Sequence, residues 1–163
     1  LGVERDSVNR NLSVINSETP IYISYNPQQT LKPEDLSSTF AHAMAQHLVV
    51  QSQQFPPGGL EYFAEGTEVL AIFMGFGVMF ANSAYTFRGG CGSCYNGQSN
   101  RQATLSEDEV IFSLALYCRL KQISTSEATR HLKKYLKNSF KRALKQIDSQ
   151  KQSLEKLVKF DDA

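Results

Sequence analysis

"VLAIFMGFGVMFA", Val69 to Ala81, is the stretch on which the fold turns: 13 residues pass without a charge. A membrane-spanning helix needs roughly 18 or more apolar residues. The run therefore predicts the central, buried helix of a helical domain and no membrane span. Gly75 and Gly77 lower its helix propensity, which predicts a neighbouring backbone close by. The helix is expected to begin near Leu60, after the stop signal "FPPGG" at Phe55 to Gly59, and to reach about Tyr85.

Upstream, Pro33 followed by Glu34 and Asp35 marks a helix start. Proline suits the first helical position, and acids complement the positive helix end. This first helix is expected to run to about Gln54. "IYISY", Ile21 to Tyr25, alternates β-branched and aromatic residues and predicts a short strand. Residues 1–20 are polar and read as an extended arm or linker.

Downstream, "RGGCGSCYNGQSN", Arg88 to Asn100, is a loop. Ser106 with Glu109 three residues later forms a capping box and opens a third helix ending near Gln122. Ser124 and Glu127 repeat the device and open a fourth, with Leu132, Leu136, Phe140, Ala143 and Ile147 on one face. Residues 148–163 read as a helical extension or tail. The fold class is therefore α+β, mainly α. A short N-terminal strand region precedes four principal helices, the second at the centre, in one domain over residues 21–147.

At 163 residues one domain can bury a real core, and a net charge of +1 gives no global pull toward nucleic acid or membrane. Three cysteines without a regular framework argue against a disulfide-built secreted scaffold. The expected localisation is cytoplasmic. The chain opens on Leu1 rather than Met, so its natural start is expected to lie upstream.

"FAHAMAQHLVV", Phe40 to Val50, places His42 and His47 in the first helix. At ~100° per residue they point ~140° apart, too far to share one ion. His47 falls on the stripe of Leu36, Phe40, Ala43 and Val50 and is expected to be a core histidine. The residue sharing the face of His42 one turn later is Gln46. The metal-like frame is thus His42-Ala43-Met44-Ala45-Gln46, an H-E-x-x-H with two positions changed. In a zincin both histidines bind zinc and the glutamate takes a proton from the attacking water. Ala43 cannot accept a proton, and Gln46 is a poor zinc ligand.

In the second helix Glu61, Glu65 and Glu68 share a face with Ile72 and Met79. Acids leading into a buried face need partners, because an unpaired buried charge is costly. An exposed helix end or nearby Lys and Arg would account for them. So would a metal, or the place of a former one. In a tight antiparallel hairpin Gln46 would stand level with Glu68, and His42 would be offset from Glu65 by ~10 Å.

Four segments, "HAMAQ", "EGTEVLAIFMGFGVMFANSAYTF", "TLSEDEVIFSLALY" and "HLKKYLKNSFKRAL", together resemble an uncharacterised bacterial family of zincin-like proteins. That family's pattern is H-E-L-A-H, then E-x-x-T-D with V-F-x-G-F-G-x-F-x-A-N, then Y-L-S-x-x-E-x-x-Y-A-L-A-L, then H-L. The resemblance spans about Ile21 to Ile147, and its second segment is the most specific. It implies a zincin-like helix pair with His42 as first ligand, Glu65 as the acidic one and Glu68 where the family has Asp. The departures fall on the chemistry: Ala43 replaces the general base and Gln46 the second histidine. His42, Gln46, Glu65 and Glu68 are accordingly expected to converge as a vestigial metal pocket, with no catalytic residue and no cofactor, zinc being the competing alternative.

Two further features stand apart. Cys91 and Cys94 form a C-x-x-C in a Gly-rich loop. With no second pair they predict loop thiols or a local disulfide rather than a closed zinc site within this chain, a zinc shared with another chain or segment being the alternative. Cys118 reads as core. Arg130, Lys133, Lys134, Lys137, Lys141 and Lys145 fall within a ~120° arc of the predicted fourth helix. A solvated face is the ordinary reading of such an arc, and a grip on phosphates or an acidic partner is the alternative. No aromatic residues interleave as stacking platforms.

Three functions compete. The first is a degenerate zincin-like protein, catalytically silent, that binds an unknown protein partner or serves structure. The second is an active metal-dependent hydrolase with altered ligands. The third is a scaffold or nucleic-acid contact through the basic helix. The periodicity also predicts burial of His47, Phe73, Phe76, Leu114 and Leu136.

Overall fold

The computed structural model describes residues 22–25, 27–84 and 103–159. The predicted arm over 1–20 and the pair Cys91 and Cys94 lie outside them. The described residues are mainly helical and include no strand. Residues 22–25, part of the predicted strand, have no regular structure, and Tyr25 packs edge-on against Phe40 with ring centroids 5.6 Å apart. Alternation suits a strand only where a second strand supplies hydrogen bonds; here the segment lies against a helix instead.

A 3-10 turn, Pro27–Leu31, leads into α1, Pro33–Ser52, with Pro33 at its start and Glu34 and Asp35 in its first turn. Gln53 in left-handed conformation closes α1. A second 3-10 turn, Gly59–Tyr62, precedes α2, Phe63–Ala71. The predicted long second helix is not uniform. A π-helical segment, Ile72–Phe76, separates α2 from α3, Gly77–Ser83. Gly75 sits there at φ 101°, a conformation that costs any residue with a Cβ. At Gly77 the reason for glycine is contact: a Cβ would stand 2.7 Å from Leu114 Cδ1.

The π segment adds a residue to the turn and so rotates the faces on either side. Ile72, Phe80 and Ala81 are fully buried, while Phe73 and Phe76 are only half-buried and Met74 and Met79 are exposed. This corrects the expectation that Phe73 and Phe76 belong to the buried core. By length and composition Gly59–Ser83 could cross a membrane, a test that the central helix of a soluble bundle passes equally.

The third predicted helix is α4, Glu107–Leu120. Its capping box is formed: Ser106 Oγ accepts from the Glu109 N–H, and the Glu109 carboxylate accepts from the Ser106 N–H at 2.7 Å. The Ser106 hydroxyl, then the Ser106 N–H, hold the Glu109 carboxyl below its ordinary range. A lowered carboxyl stabilises the fold above the ordinary carboxylate pKa, and that share is lost as pH falls through the folded-state value. Ser106→Ala is expected to cost about 1 kcal/mol near neutral pH. The cost should shrink below about pH 4, read from urea unfolding of both forms across pH.

α4 ends where Gln122 turns left-handed and the Ile123 N–H returns to the Cys118 carbonyl at 2.8 Å. The predicted fourth helix is broken. Only α5, Thr125–Ala128, follows the second cap, and α6, Leu136–Ser149, starts after an irregular turn. α7, Lys151–Lys159, continues the chain.

α1 packs on α2 and α3, α3 packs on α4, and α4 packs on α6. Phe80, Ile111, Leu114, Leu136, Phe140 and Ile147 lie in the core between them. Burial of Leu114 and Leu136 agrees with their periodicity. His47 does not: it is half-buried, as are Leu36, Phe40, Ala43 and Val50. The core face of α1 is instead Ser38, Ala41, His42, Ala45, Gln46 and Val49. Small side chains there let α2 and α3 approach closely, and polar ones find partners across the gap. Hydropathy gives this face no credit, because its value lies in fit and hydrogen bonding.

Candidate functional site

The buried core face of α1 carries His42 and Gln46 against α2. His42 Nε2 lies 3.1 Å from the Ala64 carbonyl oxygen and 2.9 Å from Thr67 Oγ1. A carbonyl cannot donate, so Nε2 carries the proton and donates to it. Thr67 Oγ1 gives its own proton to the Phe63 carbonyl at 2.7 Å and is free to accept from the same Nε2–H. Gln46 Nε2 stands 3.4 Å from His42 Nε2. Two donors do not bond, so the amide is better oriented with its oxygen toward the ring. Phe80 meets the imidazole edge-on at 6.4 Å.

Glu68, on α2, is fully buried. Its Oε2 accepts from the Thr104 N–H at 2.9 Å, the Thr104 hydroxyl at 2.5 Å and the Leu105 N–H at 3.2 Å. The Thr104 hydroxyl also lies 3.5 Å from the Ala64 carbonyl oxygen, the one that faces His42. A single polar layer therefore runs from Gln46 through His42, Ala64 and Thr104 to Glu68. It fastens α1, α2 and the entry to α4 together. Burial of so many polar groups is tolerated because they bond to one another.

His42 and Gln46 meet, and Glu68 joins them through Ala64 and Thr104. Glu65 is half-buried, and its side chain has no hydrogen bond or ion pair with any described residue. The α2 groups opposite His42 are Ala64 and Thr67, not Glu65. The hairpin is thus shifted relative to the expected register, in which Gln46 stood level with Glu68. Ala43, at the general-base position, is half-buried on the flank of α1. Among the described residues no three His, Cys, Asp or Glu side chains gather where they could hold a metal ion. The donor set fits zinc poorly: it offers one imidazole, one amide and, beyond Thr104, one carboxylate, where a zinc site uses three or four His, Cys, Asp or Glu ligands.

The irregular turn before α6 has its own clamp, which sequence reasoning missed. Asn82 is buried at the end of α3. Its Nδ2 donates to Glu34 Oε1 at 2.6 Å and to the His131 carbonyl at 2.9 Å, and its Oδ1 accepts the Lys133 N–H at 3.0 Å. Lys133 Nζ donates to the Asn82 carbonyl at 2.6 Å and lies 3.7 Å from Glu34 Oε2. One amide thus takes the place of helical bonds at 131 and 133. The one signal for it was a polar residue directly after a 13-residue apolar run.

This clamp also redraws the basic arc. Arg130, Lys133 and Lys134 precede α6, so the six cations do not share one helix face, and Lys133 is engaged internally. Lys137, Lys141 and Lys145 remain along α6. Cys118 is buried on the apolar side of α4, and burial first, then the Glu127 charge, pushes its thiol above the ordinary range.

Comparison of the chain with protein-family models, with curated proteins and with solved structures finds no match.

Proposed function

We propose that this chain is a degenerate zincin-like module: a helix pair of that type, without peptidase chemistry, kept for binding or for structure. The observation that carries the reading is the company His42 keeps: Nε2 meets the Ala64 carbonyl at 3.1 Å and Thr67 Oγ1 at 2.9 Å, Gln46 stands one turn away, and no three His, Cys, Asp or Glu side chains gather among the described residues. One imidazole with an amide beside it falls short of the three or four strong ligands that a zinc ion takes. Ala43 at the general-base position supports the same reading, since a methyl group cannot take a proton from water. Glu68, which stands where the resembling family has Asp, holds the backbone before α4 through Thr104 and Leu105. A polar layer that once served a metal would, on this view, now serve as a fastening between helices.

Titration calorimetry with zinc tests the proposal in two proteins, the unmodified chain and the double variant Ala43→Glu with Gln46→His. The unmodified chain should show no tight stoichiometric zinc. The double variant should gain it, because a second imidazole one turn from His42 completes the H-E-x-x-H frame. Tight zinc in the unmodified chain together with metal-dependent proteolysis would reject the inactive reading. A folded double variant with no gain in zinc would reject the inherited frame.

A further inference from the structure

The outer face of α6 carries a charge pattern that neither the core nor the α1–α2 layer uses. No Asp or Glu lies between Glu127 and Asp148. Lys137, Lys141 and Lys145 recur every four residues, so they advance in steps of ~6 Å along one side of the helix. Lys141 and Lys145 are exposed, and Lys137 is half-buried. None of the three side chains has an ion-pair or hydrogen-bond partner among the described residues. Arg142 flanks them, bonded to Ser139 Oγ at 3.2 Å. At the far end Asp148 is taken by Arg119 of α4 at 2.5 Å. Lys137, Lys141, Arg142, Lys145 and Arg119 against Asp148 leave this face at +4.

We infer that this face of α6 is a contact surface for the phosphodiester backbone of nucleic acid, read without regard to base sequence. Three observations choose this partner over other anions. Lysine is depleted at protein–protein interfaces, where aromatic residues and arginine anchor the contact, and the stripe offers neither aromatic nor apolar side chains. The apolar side of α6, Leu136, Phe140, Ala143, Leu144 and Ile147, is buried in the core. The helix therefore cannot insert into a bilayer as an amphipathic surface helix does. Evenly spaced point charges without stacking platforms match phosphates rather than bases.

The test is fluorescence anisotropy with labelled duplex DNA and duplex RNA of mixed sequence, between 50 and 200 mM salt. The proteins are the full chain, the triple variant Lys137→Gln/Lys141→Gln/Lys145→Gln and a charge-matched control, Lys32→Gln/Lys121→Gln/Lys156→Gln. All six lysines lie on the surface or at its edge, and circular dichroism should report the same fold in all three proteins. The full chain and the control should bind a duplex with a linear dependence of log K on log salt. The α6 variant should bind on the order of tenfold or more weakly, with the slope reduced by about 2–3. No binding by the full chain at 50 mM salt would overturn the assignment. So would equal losses in both variants. Binding to vesicles of phosphatidylserine and phosphatidylcholine through the same lysines, with none to either duplex, would assign the face to an anionic membrane instead.

Discussion

Replacing Glu68 by alanine should lower the melting temperature by about 10 °C. The carboxylate is fully buried and accepts from the Thr104 N–H, the Thr104 hydroxyl and the Leu105 N–H. Its removal leaves two N–H groups and a hydroxyl without their acceptor, and each buried polar group left unsatisfied costs about 1–3 kcal/mol, so about 3–5 kcal/mol in all with water reaching Thr104. At this chain length each kcal/mol moves the melting point by about 2–4 °C. The segment Thr104–Leu105 is also the approach to the Ser106 cap. Its release should therefore loosen α4 first, seen as faster amide exchange at Val110 and Ile111. Glu68→Gln keeps the volume and one acceptor oxygen and should lose roughly half as much. Both losses should be the same in EDTA and in added zinc, because the partners are backbone and hydroxyl groups. A loss that appears only when zinc is present would make Glu68 a ligand and overturn the fastening role.

Asn82→Ala should be nearly as damaging, about 3 kcal/mol or about 6–12 °C. It removes both donors and the acceptor that meet Glu34, the His131 carbonyl and the Lys133 N–H. Asn82→Asp is the sharper probe. It keeps an oxygen for the Lys133 N–H but loses both donor arms and sets a carboxylate against Glu34. It should destabilise at least as much as alanine at neutral pH and recover part of the loss in acid, where either carboxyl can carry a proton. If Asn82→Asp were neutral at pH 7, the clamp would not be what holds the turn. Breaking it should also allow the chain from Thr129 to Tyr135 to gain helix, measurable as a rise in protected amides there.

Much of the helical layout is local and therefore readable from the chain. Pro33 with Glu34 and Asp35, and Ser106 with Glu109, mark helix starts through contacts within one turn. Leu114, Leu136, Phe140 and Ile147 are buried because apolar residues at helical spacing have one sensible place to go. The same rule misplaced the core face of α1. Ser38, Ala41, His42 and Gln46 are buried there by what stands opposite them, and no hydropathy scale records that.

What only the tertiary structure decided depends on partners far apart in the chain. The predicted fourth helix breaks because Asn82 takes the backbone at 131 and 133, 49 and 51 residues away. Glu68 finds Thr104, 36 residues on, rather than the face of Glu65. His42 reaches Ala64 and Thr67 across 22 and 25 residues. The sequence by itself determined where helices begin and which apolar faces must be covered, since those follow from contacts within a few turns. Which polar side chains would be buried, and against what, was decided by close packing. A buried polar group is stable only when folding delivers its partner within hydrogen-bond distance.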